Sequence, residues 1–193
     1  MPGPVRGEAD APAGPASLAA CAACHGAGLQ GDVAFLAPNL SVLSVWYMER
    51  QLRNYKRGLR APPGTPNVPG LQMQPMAAVL DEAGIAAAAG LVEAVPERSA
   101  SATVGGDAQR GAALYRTCTV CHGVQAEGNQ ALNAPRLAGQ SDWYLVSQLQ
   151  NYKAGIRGVH GDVWGAQMRA STGVLADDAA IVDVVAYINT LVR

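Results

Sequence analysis

Two copies of a five-residue box, Cys-x-x-Cys-His, constrain this chain more than any other feature. They read Cys21-Ala22-Ala23-Cys24-His25 and Cys118-Thr119-Val120-Cys121-His122, and together they use all four cysteines and two of the three histidines. In this spacing two thiols can add across the vinyl groups of a haem, and the adjacent histidine is aimed at the iron as an axial ligand. A zinc ribbon would need its cysteine pairs roughly 15–20 residues apart, whereas Cys21 and Cys118 are 97 residues apart. A thioredoxin-like redox motif would need a βαβ setting, and no alternating strand pattern surrounds either box. The expected cofactors are two covalently bound haem c groups, attached through Cys21, Cys24, Cys118 and Cys121, with His25 and His122 as metal ligands.

Composition fits that reading. Hydrophobic residues make up 49% of the 193 residues but aromatic ones only 5%. Small domains with so few large side chains struggle to build a core, and a buried porphyrin in each half would supply the missing apolar bulk. The formal charge is −1, which lacks the basic footprint of a nucleic-acid binder. No apolar run reaches the ~18 residues of a membrane span. Met1–Ala20 is rich in Pro, Gly and Ala and is not an intact secretory signal. Haem is attached to such boxes outside the bacterial cytoplasm, so the chain is expected in the periplasm with a signal peptide already removed.

The 97-residue offset extends beyond the boxes. Residues 36–60 and 133–157 align without a gap, and about half of the positions are identical. The shared string Gln-Leu-x-Asn-Tyr-Lys-x-Gly-x-Arg closes a helix that Ser44 or Ser141 should cap and Gly58 or Gly155 should end. Tyr55, Arg60, Tyr152 and Arg157 are candidates to bond haem propionates, which suit the arginine fork. Pro38 and Pro135 recur in register, each able to accept a hydrogen bond from the proximal histidine and fix its ring. In repeat two Asp107 should cap a helix running into Cys118. Pro12 and Pro15 should shorten its counterpart. Final helices are expected at Ala83–Val95 and behind Asp177, the latter burying Ile181, Val184, Val185 and Ile188. Pro96–Gly105 is polar and unpatterned, which divides the chain into residues 1–98, a linker at 99–104, and residues 105–193.

Each iron needs a sixth ligand or an open site. His160 is the one spare histidine and cannot serve both. Met168, on an expected extended loop, is the only methionine of repeat two. In repeat one, alignment on Gly-x-Gln-Met selects Met73, with Met76 as the alternative and Met48 as core.

With these motifs in hand, the chain resembles the two-haem class I cytochromes of the cytochrome c4 type over nearly its whole length. Repeat one departs from the pattern where Ser41-Val42-Leu43 replaces Ala138-Gly139-Gln140. The resemblance implies an all-α fold of two tandem class I cytochrome c domains related by a pseudo-twofold, each wrapped around one haem. It also implies that first and last helices pack together through small residues, with Gly111 against Ala186 and Gly14 against Gly90. It implies a periplasmic electron carrier rather than an enzyme, with redox-protein partners that include a membrane-bound terminal oxidase. A second reading is the cytochrome subunit of a periplasmic dehydrogenase of the sulfide dehydrogenase type, with the apolar segment Val33–Leu43 as the docking patch. A third is a haem enzyme such as a peroxidase, against which the matched methionines argue.

Overall fold

The structure, a computed structural model, describes residues 18–159 and 161–191. Pro12, Gly14, Pro15 and His160 therefore lie outside the described residues. Within them the regular structure is helical, apart from two isolated antiparallel bridges, Asp32 with Ala37 and Asn129 with Ala134. The first half comprises α1 (Leu18–His25), α2 (Val45–Lys56), α3 (Val68–Ala78) and α4 (Glu82–Glu93). The second comprises α5 (Ala108–Tyr115), α6 (Thr119–His122), α7 (Asp142–Lys153), α8 (Val163–Ser171) and α9 (Asp178–Thr190). Short 3-10 turns occupy Gln130–Leu132 and Thr172–Val174. No single helix among the described residues is long and apolar enough to cross a membrane.

The middle helices form where the repeat places them. Helix α2 buries Tyr47, Met48, Gln51, Asn54 and Tyr55, a stripe one helical face wide. Gly58 and Gly155 follow α2 and α7 at φ +66° and +68°, a left-handed turn that costs glycine nothing. Ser44 and Ser141 occupy the N-caps, but neither hydroxyl accepts a helix N–H. Aspartates do that work elsewhere: Asp81, Asp107 and Asp177 accept from the N–H three residues on.

Two expectations are corrected. The helix capped by Asp107 ends at Tyr115 instead of reaching Cys118. The chain then tightens into a turn, with the Cys118 N–H donating to the Tyr115 carbonyl at 2.8 Å, before α6 carries the box onward. Both methionine segments are helices, not extended loops. Asn67 and Asp162 cap them through Gly70 and Gly165, and Pro69 falls in the first turn, where its missing N–H has no partner to lose. Gly111 packs directly on α9: a Cβ there would lie 1.9 Å from the Asp183 carbonyl oxygen and 3.0 Å from Tyr187 Cβ, and one turn on Ala186 lies against Gly106.

The cores differ between halves. Tyr115, Leu145, Leu175, Ile181, Val184, Val185 and Ile188 anchor one continuous cluster in the second. The first has two smaller ones, Leu29 with Met48, Ala89 and Val92, and Tyr55 with Ala61 and Ala77. Residues 96–105 adopt no regular structure, yet they are pinned to both halves. Arg98 bonds Ser41, and the Ala100 N–H donates to the Gly139 carbonyl at 2.9 Å. Thr103 and Val104 converge on the buried Asp142 carboxylate.

Candidate haem sites

The two boxes are held by the same loop, built twice. After each histidine the chain folds back on itself, and the Asp32–Ala37 and Asn129–Ala134 bridges staple its tip. The His25 carbonyl accepts from Gly31 N–H at 2.9 Å, and His122 from Gly128 N–H at 2.8 Å. Both glycines have positive φ, and a Cβ would meet the backbone of Asn39 at 2.8 Å or of Arg136 at 2.5 Å. Only glycine lets the returning strand pass so close.

That return delivers a proline carbonyl to each imidazole. Nδ1 of His25 lies 2.8 Å from the Pro38 carbonyl oxygen, and Nδ1 of His122 lies 2.8 Å from that of Pro135. The expected bond is present in both copies. It assigns the proton to Nδ1 and leaves Nε2 as the lone-pair nitrogen for a metal. Both rings are buried, and burial lowers their pKa against the opposing effect of the carbonyl bond. The neutral, ligating form is favoured.

The thiols have no other evident chemistry. Burial, with Cys121 adding to it, pushes Cys118 up to about 11, and burial likewise raises Cys21. A redox dithiol needs the opposite shift. Among the described residues no group of three or more His, Cys, Asp or Glu side chains could hold a metal ion. Instead, Cys118, Cys121 and His122 line a cavity of about 210 Å³ that also contains Met168, Tyr152 and Arg157. Met168 is brought there by α8. In the first half, α3 packs Met73 half-buried against Tyr55, Ala61 and Ala77, while Met76 is 46% exposed. Met48 is core, as expected.

Arg60 and Arg157 end their repeats at the junction of the two halves, 5% and 4% exposed. Each guanidinium stacks on its own repeat's tyrosine, Tyr55 or Tyr152, at 4.6 Å. Each then crosses to the other repeat. Arg157 donates to Gln148 at 2.8 Å, to Tyr47 Oη at 3.1 Å and to Gln51 at 3.0 Å. Arg60 donates to Gln51 at 3.0 Å and to the Tyr144 hydroxyl. This Arg-to-Tyr exchange is reciprocal, as a pseudo-twofold requires. Burial pushes the Tyr47 hydroxyl up, but Arg157 and Arg60 outweigh it and leave its pKa lowered. Neither arginine forms a salt bridge among the described residues, and the Nε of each is buried without a partner there. Two buried cations without a carboxylate call for an anion. A haem, apolar in its ring and carrying two propionates, matches the cavity's lining and the charge.

Sequence reasoning missed the contacts between the repeats. The Asn39 N–H donates to Gln140 Oε1 at 2.9 Å, and Gln140 Nε2 donates back to the Asn39 carbonyl at 2.8 Å. Asn39 Nδ2 also reaches the Gly139 carbonyl at 3.0 Å. The signal lay in the departures between copies. Asn39 stands where repeat two has Arg136, and Gln140 where repeat one has Leu43.

Comparison with known proteins points to one family. The Cytochrome c family profile matches twice, over residues 12–93 and 108–192. Cytochrome c4 of Azotobacter vinelandii is 34% identical over 169 residues, 79% of this chain and 77% of that protein. A thiosulfate dehydrogenase electron acceptor of Stutzerimonas stutzeri (strain A1501) is 33% identical, over 75% of this chain and 68% of that protein. The solved structure of Acidithiobacillus ferrooxidans cytochrome c4 superposes with a TM-score of 0.74 at 28% identity, covering 90% of this chain and 99% of that one.

Proposed function

We propose a function from one premise: the chain belongs to the cytochrome c family, carries two of its domains in tandem, and is a dihaem protein of the cytochrome c4 type. On that premise it is a periplasmic electron carrier, not an enzyme. It takes single electrons from one redox protein and passes them to another, with a terminal oxidase as the proposed acceptor. When bound, each haem supplies a one-electron Fe(III)/Fe(II) couple. Domain one spans residues 1–98 and domain two residues 105–193.

Cys21 and Cys24 would hold one haem and Cys118 and Cys121 the other. His25 and His122 would offer Nε2 to the irons, while the Pro38 and Pro135 carbonyls stop the rings from turning. Met73 and Met168 would be the methionine ligands, and a thioether favours ferrous iron. Tyr55, Arg60, Tyr152 and Arg157 would bind the propionates. The observation that carries the reading is the twofold recurrence of the 2.8 Å bond from histidine Nδ1 to a proline carbonyl beside a Cys-x-x-Cys-His box.

The test is cofactor load and ligation. The protein should carry two haems that acid–acetone cannot extract. Met168→Ala and Met73→Ala should each remove half of the weak near-infrared methionine–Fe(III) absorbance and open one iron to carbon monoxide. If Met76→Ala does so in place of Met73→Ala, the first ligand is reassigned. One haem, or extractable haem, contradicts the reading.

Docking to a periplasmic dehydrogenase is the second reading. It is supported by the relative named as a thiosulfate dehydrogenase electron acceptor. It is also supported by the loop tip where Val33, Phe35 and Leu36 stand 62%, 53% and 48% exposed. Replacing Phe35 with Asp should weaken complex formation with such a dehydrogenase while leaving haem content unchanged.

A further inference from the structure

We propose that Arg50 is a clamp that the first domain places on the haem site of the second, with no counterpart acting in the reverse direction. The inference rests on reading the second cavity as a haem site. Arg50 belongs to α2, yet it lines that cavity together with Cys118, Cys121, His122 and Met168. Its Nη1 donates to Asn133 Oδ1 at 2.9 Å and its Nη2 to the Asn133 carbonyl at 3.0 Å. Trp46 and Tyr47 flank the guanidinium, with ring centroids at 5.1 and 5.2 Å. Two edges of the fork are thus fixed. The remaining Nε is buried and has no partner among the described residues. Asp162 also lines the cavity and its charge acts on Arg50, but one of its oxygens caps α8 through Gly165 and neither bonds the Nε. The chemistry that satisfies the Nε is a carboxylate entering with the cofactor, which makes a charge-assisted bond.

The repeat shows that this is one-sided. Arg50 aligns with Ser147, whose hydroxyl stays within its own helix and donates to the Tyr144 carbonyl at 3.2 Å. Asn133 aligns with Leu36, which is exposed and apolar. Both members of the pair are therefore missing at the mirror corner. Arg60 and Arg157 have each other as counterparts in the repeat, and each bonds the other repeat's tyrosine. Arg50 has no such counterpart. A fixed cation beside one site favours the reduced, more negative state there, so Arg50 biases shared electrons toward the second domain.

The experiment uses the full holoprotein and its Arg50→Gln, Arg50→Lys and Asn133→Gly variants. Covalent haem is counted first, and then the haem-methyl proton resonances are followed through stepwise reduction. Assigning those resonances to each domain separates the two potentials. In Arg50→Gln the equilibrium for electron exchange between the haems should move about tenfold toward the first domain, about 59 mV for a one-electron couple. The haem attached at Cys21 and Cys24 should not shift. Arg50→Lys, which keeps the charge, should move it less than half as far, and a second neutral variant, Arg50→Met, replaces Arg50→Gln if that one does not load haem. Asn133→Gly breaks the clip but leaves the cation, so it should also shift the equilibrium less than Arg50→Gln. Unchanged potentials with two haems present would overturn the proposal, as would equal shifts in Arg50→Gln and Asn133→Gly, the mark of a merely structural clip. Fewer than two covalent haems in the wild-type protein would instead overturn the site reading beneath it.

Discussion

In the second domain α5 crosses α9 so closely that a Cβ on Gly111 would lie 1.9 Å from the Asp183 carbonyl oxygen. In the first domain Gly90 on α4 meets nothing within 4 Å among the described residues. The last helices differ in the same sense. Helix α9 buries Ile181, Val184, Val185 and Ile188, where α4 buries Ile85, Ala88, Ala89 and Val92. Two valines have become alanine and one isoleucine valine, worth roughly 4 kcal/mol at about 0.8 kcal/mol per buried methylene. The haem loops do not share this divergence. Their staples, their glycine passes and their histidine–proline bonds agree to within a few tenths of an ångström. A site held by short backbone bonds can stay constant while the helix packing around it changes.

The first domain then depends on its neighbour. Asn39 is fully buried: its side-chain oxygen accepts from Ser41 of its own domain and its side-chain amide donates to Arg98, while its backbone N–H and that same amide reach Gln140 and Gly139 of the second domain. Gly111→Ala should have the largest effect, more than about 3 kcal/mol. The new carbon meets backbone that cannot yield, at the upper end of overpacking costs. Gly90→Ala should instead gain roughly 0.5–1 kcal/mol of helix propensity. Thermal unfolding of the two holoprotein variants checks both, and an equal loss in each would break the comparison.

Gln140→Ala comes next, at roughly 1–3 kcal/mol, because it strands the buried Asn39 N–H. The loss should appear as earlier unfolding of the first domain, although the substitution lies in the second. A uniform loss across both domains would argue that the first domain stands alone.

The smallest effect concerns acid. Burial raises the Asp142 pKa, but hydrogen bonds from the backbone N–H groups of Thr103 and Val104, from the Thr103 hydroxyl and from the Trp143 N–H outweigh it and leave the carboxyl below its usual value. A depressed carboxyl contributes stability that is complete above its unfolded pKa of about 3.9. That contribution is lost as pH falls through the lower folded value. Asp142→Asn should be less stable than wild type at neutral pH, with the gap closing in acid. Parallel pH curves would mean that the linker is not held by this charge.

Much of this was legible because it is local. The boxes, the proline carbonyls, the middle helices and the Asp107 and Asp177 caps all follow from spacings within one repeat. The methionine helices were misread because Pro69, Gly70 and Gly165 look like loop breakers, yet in a capped first turn they obey helix rules. The break after Tyr115 was missed for a related reason, since nothing in its composition forbids a continuous helix. The Asn39–Gln140 exchange, the pinned linker and the Arg50–Asn133 pair were out of reach of periodicity. They join residues about 40 to 100 positions apart and appear only as differences between copies.

The central claim is that two equal haem loops sit in two unequal domains, the first leaning on the second. Native-state hydrogen exchange on the intact holoprotein tests it most directly, read at the amides of α4 and α9. The account predicts that α4 exchanges through a partial opening well before α9, and that Gln140→Ala widens the gap while sparing α9. Equal protection of the two helices, or slower exchange in α4, would contradict it.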